Sequence, residues 1–340
     1  MGIKQSRYHR YNRSSNHQRQ LRDNSPRRES VNTNTTSGVS QSNNSVTIDG
    51  RQYYQDETST YILPRDEIEQ DRLNSQHFTV KAMFNGKNIL DSIQRILPKE
   101  ASVLDLGCGT GCWVMELAVE YPEYRFTGVD VTDMFPTTIR PENVNFELYN
   151  VLSGLPYPDN TFDFVNMRFM LSAFAVSDWP VVLKETYRVL KPGGVIELME
   201  TQFPENDRVP IVRTVNEAFY EMLRENGKDP CTAAKFGTML KEQHFEVIER
   251  QERSLTYKKP LEPISREMLG NWKMAMLALK PVLVHKIVEN PNEYNSVIDD
   301  YIEGLIEEHW TPKLIAWAAQ KPFKDTSNDN SNDNTLQERQ

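Results

Sequence analysis

The chain has 340 residues, of which 38% are hydrophobic and 26% are charged, and its formal net charge is −9. Residues 1–45 carry eight Arg or Lys residues against two acidic ones, so this segment is +6 and the rest of the chain is −15. An acidic body opposes the cation–phosphate contacts on which bulk nucleic-acid binding depends, so we expect no nucleic-acid partner. The three cysteines, Cys108, Cys112 and Cys231, are too few for a disulfide framework and have no zinc spacing, so we predict no metal site.

The chain begins with a basic and polar segment. Residues 5–50 are mostly Ser, Asn, Gln, Arg and Thr, and few of them could be buried against a core. Because nothing would offset the entropy lost on ordering, we predict that residues 1–52 form a disordered basic tail. Residues 324–340 have a similar composition, and we predict disorder there too. The intervening residues 53–323 are predicted to form the folded domain.

Residues 1–6 read Met-Gly-Ile-Lys-Gln-Ser, which fits the pattern for N-myristoylation of Gly2. One acyl chain binds a membrane only marginally, and the basic residues that follow would supply the second signal for peripheral contact. A chance match of so short a motif is the alternative, and we weigh the two equally. The few cysteines and the lack of an 18-residue apolar run favour a cytoplasmic protein, with membrane association through the tail and a nuclear location left open.

From about residue 100 the sequence alternates between strand and helix patterns. Short apolar runs predict seven strands, at 102–106, 125–130, 144–149, 162–167, 195–199, 245–255 and 313–319. Apolar residues at helical spacing predict the helices between them, among them 207–226, 232–242 and a helical insertion over about 264–308. Such alternation is typical of a doubly wound α/β domain, in which ligands bind beyond the carboxyl ends of the parallel strands.

A glycine-rich loop follows the first of these strands and precedes a helix. Gly107, Gly109 and Gly111 would let the backbone turn tightly and approach a ligand closely. Their spacing is G-x-G-x-G, whereas nicotinamide enzymes use G-x-G-x-x-G. The loop also lacks the Gly-Lys-Ser/Thr sequence of nucleotide-triphosphate-binding loops. The loop therefore indicates a small-molecule site and opposes the two commonest occupants of such a site.

Polar side chains end the next two strands. Asp130 lies 23 positions after Gly107, and a carboxylate there can accept hydrogen bonds from both hydroxyls of a ribose. A capping aspartate in a turn is the alternative. Asn150 and Val151 end the third strand, where a side-chain amide could reach an adenine edge, the alternative being an ordinary Asn turn.

Taken together, these segments resemble, in order and spacing, the motifs of class I S-adenosylmethionine-dependent methyltransferases. The motifs lie at 103–111, 128–130, 155–163 and 189–194, so the resemblance is closest over about 100–200, the cofactor half of the domain. More loosely, residues 61–77 and 320–322 resemble a fungal branch of this family that includes the velvet-associated regulator of secondary metabolism.

The resemblance implies a Rossmann-like seven-stranded sheet whose last strand is antiparallel, with S-adenosyl-L-methionine as the cofactor. It implies that four loop residues surround the methionine part of the cofactor, namely Asp105, Gly107, Gly109 and Gly111. Asp130 would bind the ribose, Asn150 and Val151 would lie at the adenine, and Met167 and Arg168 would lie beside the sulfonium. Many relatives carry Asp where this chain has Asn150, which weakens the expectation for the adenine contact.

The catalytic residues are less evident, because methyl transfer from a sulfonium requires positioning more than a dedicated base. Arg168 and Glu200 follow the fourth and fifth strands and are the candidates. Arg168 could bind an acidic substrate or pair with a local carboxylate, and Glu200 could orient an amine or cap the next helix. His77 and His244 could serve as bases, but we favour a structural role for both. Residues 168–174 contain no carboxylate, which opposes arginine methylation.

Two functions from different classes remain open. The first is a methyltransferase that acts on a small molecule, for which the apolar 168–174 loop and insertion residues such as Trp272 and Leu279 could form an apolar roof. Ordinary core packing of those helices is the alternative for the roof. The second function is that of a cofactor-binding regulatory protein that acts through protein partners. A nicotinamide oxidoreductase is opposed by the glycine spacing.

Overall fold

The computed structural model describes residues 45–54, 61–204 and 208–323. The basic tail up to residue 44, with its Gly2 motif, and the segment 324–340 lie outside these ranges, so the predictions made for them stay predictions. Among the residues described, no helix combines the length and the apolar character that crossing a bilayer would require.

An antiparallel hairpin precedes the α/β domain, formed by β1 (Ser45–Ile48) and β2 (Arg51–Tyr54). The prediction of disorder up to residue 52 was therefore wrong for 45–52. Asp49 and Gly50 have φ of +50° and +77°, the backbone of an Asp-Gly hairpin turn. The hydroxyl of the buried Tyr53 donates a 2.8 Å hydrogen bond to the carbonyl of Ala278, which ties the hairpin to the helical insertion.

The seven predicted strands form one sheet. They are β3 (Ser102–Leu106), β4 (Arg125–Asp130), β5 (Val144–Leu148), β6 (Phe162–Arg168), β7 (Leu190–Gln202), β8 (Glu246–Ser254) and β9 (Lys313–Gln320). The spatial order is β5-β4-β3-β6-β7-β9-β8, and β9 is antiparallel to both of its neighbours while the pairs from β5 to β7 are parallel. The predicted doubly wound sheet with an antiparallel last strand is confirmed. The strand order reverses between β3 and β6, which is where such sheets bind ligands.

The helices pack on both faces of the sheet and above its carboxyl edge. They are α1 (Glu67–Met83), α2 (Asp91–Ile96), α3 (Cys112–Glu120), α4 (Asp178–Val189), α5 (Pro210–Glu225), α6 (Thr232–Glu242), α7 (Pro263–Ala278), α8 (Lys280–Ile287) and α9 (Tyr294–Glu307). The insertion predicted over 264–308 is indeed helical and consists of α7, α8 and α9.

A separate apolar core holds the insertion above the sheet. Helix α5 begins with Pro210, whose fixed φ suits the first turn, and it buries Val212, Val215, Phe219 and Met222 on one face. These side chains belong to the same buried cluster as residues of α7, α8 and α9. Helix α7 also packs on α1, so α1 and the insertion together cover the carboxyl edge of the sheet.

Candidate functional site

A cavity of about 280 Å³ lies at the carboxyl ends of β3, β4, β6 and β7. One side, here called the glycine wall, consists of lining residues from 105–110, 129–131 and 149–152. A second group of lining residues, here called the aromatic wall, consists of Phe203, Phe219, Tyr257, Trp272 and Trp310. The cavity occupies the switch point that the sequence pattern predicts.

Backbone hydrogen bonds shape the glycine wall. The amides of Gly107 and Cys108 donate to the carbonyl of Val129 at 2.8 and 3.0 Å, which turns the loop back over β4. Gly107 has a φ of +72°, and a Cβ there would lie 2.6 Å from the sulfur of Met170. No other residue type fits this position without moving Met170. Gly111 also has positive φ and sits against the Phe146 ring, but it does not line the cavity.

Asp130 joins the end of β4 to the glycine loop. Its Oδ2 accepts a 2.8 Å hydrogen bond from the amide of Gly109, and its Oδ1 accepts from the amide and the hydroxyl of Thr132 at 2.9 and 2.7 Å. Burial raises the pKa of the carboxyl group. Asp130 therefore caps a turn, as the alternative reading had it, and it also lines the cavity, as a ribose-binding residue must.

Asp105 begins a row of buried polar residues that crosses three strands. It is paired in register with Asn166 of β6, which is paired in turn with Glu197 of β7. The Asn166 amide nitrogen donates to Asp105 Oδ1 at 2.7 Å. Burial raises the pKa of Asp105 to about 6 and that of Glu197 to about 7. Sequence reasoning missed Asn166 and Glu197, because neither carries a recognisable motif.

The structure divides the remaining cofactor candidates. Asn150 and Val151 line the cavity, and Asn150 Oδ1 accepts a 3.0 Å hydrogen bond from the amide of Leu152 at the start of a short 3₁₀ turn. Met167 does not line the cavity and is 1% exposed in the core. Side chains alternate between the faces of a strand, so Met167 points away from the face that carries Asn166 and Arg168.

Arg168 ends β6, and its guanidinium lies 5.6 Å from the Trp113 ring centroid. One guanidinium nitrogen is 3.4 Å from Nδ1 of His77, and Nε2 of His77 is 2.7 Å from a carboxylate oxygen of Glu116. Burial lowers the pKa of His77 to about 4, so the ring is neutral. Since a carboxylate only accepts, Nε2 carries the proton and Nδ1 accepts from Arg168. His77 is thus structural, as predicted, and it orients Arg168.

Glu200 fixes the loop that follows β6. Its Oε2 accepts from the amide of Leu171 at 2.8 Å, and its Oε1 accepts from the amide of Thr201 at 2.7 Å. Leu171 belongs to a short 3₁₀ turn, Met170–Ser172, so the carboxylate caps this turn rather than the next helix. Burial raises the pKa of Glu200 to about 7, and its side chain lines the cavity beside the loop.

The aromatic wall is assembled from ring contacts between distant segments. The Phe203 ring centroid lies 5.6 Å from those of Phe219 and Trp272 and 6.1 Å from that of Trp310. Trp272 and Leu279 line the cavity, as the apolar-roof interpretation expects. Phe203 and Trp310 were not recognised in the sequence, because each lies outside a periodic helix pattern.

Comparisons with known proteins agree with this architecture. Residues 103–194 match the family model described as a methyltransferase domain. A secondary metabolism regulator, laeA, of Coprinopsis cinerea is 35% identical over 158 residues, which cover 45% of this chain and 39% of the relative. The methyltransferase pytC of Aspergillus terreus is 28% identical over 211 residues, which cover 55% of this chain and 63% of the relative.

The matched regions are partial. The chain spans about half the length of the curated relatives it matches. Among solved structures, an S-adenosylmethionine-dependent methyltransferase of Methanosarcina mazei aligns with a TM-score of 0.43 at 18% identity, covering 69% of this chain and 99% of that one.

Proposed function

We propose that this chain belongs to the class I S-adenosylmethionine-dependent methyltransferase family and transfers a methyl group from that cofactor to an apolar small molecule. The observation that carries the proposal is the 2.8 Å hydrogen bond that the Gly109 amide donates to the Asp130 carboxylate at the cavity wall. Both residues lie within the matched region 103–194. This contact holds a glycine loop and a diol-binding carboxylate at the place where the sheet reverses its order.

The groups on the glycine wall suit S-adenosylmethionine. Asp105 offers a carboxylate for the ammonium of the methionine part, and Asp130 offers one for the ribose hydroxyls. Asn150 uses Oδ1 locally, which leaves its amide Nδ2 as a donor for the adenine. A Cβ at Gly109 would meet only a methyl group of Leu73 at 3.7 Å, so the backbone there faces open space. Gly111 and Met167 do not line the cavity, so we assign neither of them a direct contact with the cofactor.

When bound, the cofactor supplies an electrophilic methyl group on a positively charged sulfur. The protein's part is to hold the acceptor in line and exclude water. Glu200 does this indirectly by fixing the Met170–Ser172 turn, and the aromatic wall gives an apolar acceptor a flat surface to pack on. With a pKa of about 7, Glu200 can also take up the proton that a hydroxyl or amine acceptor releases.

Calorimetry with S-adenosylhomocysteine, the demethylated product, tests the cofactor site. We expect the wild-type chain to bind it and Asp130→Asn to weaken binding at least 30-fold, since losing a charged acceptor costs about 2 kcal/mol. Asp133→Asn is the matched control, because it removes the same charge three residues away from an exposed side chain that does not line the cavity. The affinity of Asp133→Asn for S-adenosylhomocysteine should stay within twofold of the wild-type value. The proposal would be refuted if the wild-type chain did not bind S-adenosylhomocysteine at millimolar concentration.

A second measurement separates the enzyme from the regulatory alternative. Wild-type chain and Asp130→Asn are incubated with methyl-labelled cofactor and a fractionated cell extract. Label that enters a small-molecule fraction, with the wild type only, supports the proposed activity. Cofactor binding without any transfer, together with a co-purifying protein, favours the regulatory reading instead.

A further inference from the structure

Three cationic side chains line the cavity, and two of them are neutralised by neighbours. Arg72 lies 2.6 Å from an oxygen of Glu69, and Lys313 lies 2.7 Å from an oxygen of Glu252. Arg168 differs, because no carboxylate in the described parts of the chain comes within ion-pair distance of its guanidinium. Among the described residues that line the cavity, Arg168 is therefore the cation whose charge no bonded carboxylate compensates.

The groups around Arg168 orient it without neutralising it. Trp113 offers its ring face, and neutral His77 accepts one hydrogen bond through Nδ1. His77 is itself held at its other nitrogen by Glu116, which also accepts from Lys81 and from Asn88. This chain of contacts fixes the guanidinium at the end of β6, where its remaining donors have no acceptor among residues 45–54, 61–204 and 208–323.

The two nearest carboxylates in the sheet are engaged elsewhere. Asp105 accepts from the amide of Asn166, and Glu197 accepts from the backbone amide of Leu90 at 3.3 Å. Both act on Arg168 only at longer range, and burial still lowers the pKa of the guanidinium. Burying a charge without a bonded counter-charge is unfavourable, and the planar fork of a guanidinium matches the two oxygens of a carboxylate. The guanidinium of Arg168 is thus placed to donate two hydrogen bonds to a carboxylate in the cavity.

We propose that Arg168 is the carboxylate-binding residue of this cavity. The inference rests on the proposed function, because the carboxylate belongs either to the amino-acid end of the cofactor or to the methyl acceptor. In the second case the acceptor is an acidic molecule with an apolar body, since the aromatic wall lines the rest of the cavity.

The first arm of the test asks whether the cofactor supplies the carboxylate. Calorimetry compares S-adenosylhomocysteine with its decarboxylated analogue in wild type, Arg168→Gln and Lys313→Gln. If the cofactor is the source of the carboxylate, Arg168→Gln lowers the affinity for S-adenosylhomocysteine at least 30-fold. The same change lowers the affinity for the decarboxylated analogue less than threefold. Lys313→Gln removes the same charge from a cavity residue that already has a partner, and should weaken both ligands less than threefold. The ratio of the two affinities within one variant is insensitive to a partial loss of folding.

The second arm asks whether the acceptor supplies it. With S-adenosylhomocysteine present, 1-naphthoic acid is compared with 1-naphthamide, which has the same shape and no charge. If the acceptor is the source of the carboxylate, Arg168→Gln lowers the affinity for 1-naphthoic acid at least tenfold and leaves the affinity for 1-naphthamide unchanged. The inference is wrong if Arg168→Gln discriminates between acid and neutral ligand in neither arm. Failure of the proposed function looks different, because the wild type would then bind neither adenosyl ligand.

Discussion

The two walls of the cavity are built in opposite ways. The glycine wall comes mostly from about fifty consecutive residues between Asp105 and Leu152, and backbone hydrogen bonds over one or two strand ends set its shape. The aromatic wall comes from residues between Phe203 and Trp310 that belong to separate helices and loops, and side-chain packing sets its shape. A local loop holds one wall, and the tertiary packing of the insertion holds the other.

The support behind the aromatic wall shows what this difference means. The indole nitrogen of Trp272 donates to the hydroxyl of Tyr301 at 3.0 Å, and that hydroxyl donates to Asn216 at 2.8 Å. This relay connects α7, α9 and α5, so the position of the wall depends on the insertion being assembled. The glycine wall is held by hydrogen bonds that the amides of Gly107, Cys108 and Gly109 donate to the end of β4. Cofactor binding and acceptor binding should therefore respond separately to substitution.

The largest effect is expected at Gly107. In Gly107→Ala, the new methyl group would meet Met170 while the residue is held at positive φ, so the loop must shift. We expect affinity for S-adenosylhomocysteine to fall 100-fold or more by calorimetry, about 3 kcal/mol.

Gly86→Ala is the matched control for that change. Gly86 has a φ of +77° and open space around its Cβ position, so it bears the same conformational cost of about 1 kcal/mol without a collision. The affinity of Gly86→Ala for S-adenosylhomocysteine should equal that of the wild type. Equal affinities for Gly107→Ala and Gly86→Ala would show that the loop is not the binding wall.

Trp272→Leu tests the aromatic wall. The change removes ring contacts with Phe203 and Phe219 and the hydrogen bond that the indole donates to Tyr301, so we expect the unfolding free energy to fall by about 2–3 kcal/mol in urea titration. Affinity for S-adenosylhomocysteine should stay within threefold, because the glycine wall is untouched. A loss of cofactor affinity as large as that of Gly107→Ala would mean that the two walls form one unit.

What could be predicted from the sequence follows the same division. The strands, the loop glycines and Asp130 were identified because their signals lie within a few residues of one another. Asp105 was identified too, but its alignment with Asn166 and Glu197 was not predicted. That alignment depends on the register of three strands that are far apart in the chain.

Other misses had a local signal that was not used. Strand alternation places Met167 on the opposite face from Arg168, which was enough to exclude its side chain from the cavity. The Asp-Gly turn between alternating residues indicated the hairpin at 45–54. Phe203 and Trp310 had no such signal, since only the packing of α5, α7 and α9 brings them together.

The smallest effect is expected at Glu197, at the β7 end of the buried polar row. Its pKa of about 7 lies above the ordinary value of about 4.5, so the native state keeps this proton at pH values where the unfolded chain has lost it. Wild-type stability should therefore fall as the pH rises from about 4.5 to about 7. Glu197→Gln removes this penalty and keeps an oxygen for the amide of Leu90. Unfolding titrations should give it an advantage over wild type that is about 1–2 kcal/mol larger at pH 8 than at pH 5.

Glu200→Gln is the contrasting variant, because Glu200 accepts two short backbone hydrogen bonds that an amide cannot both replace. It should gain less or lose stability at pH 8, and the same gain in both variants would mean that desolvation alone governs these two carboxylates.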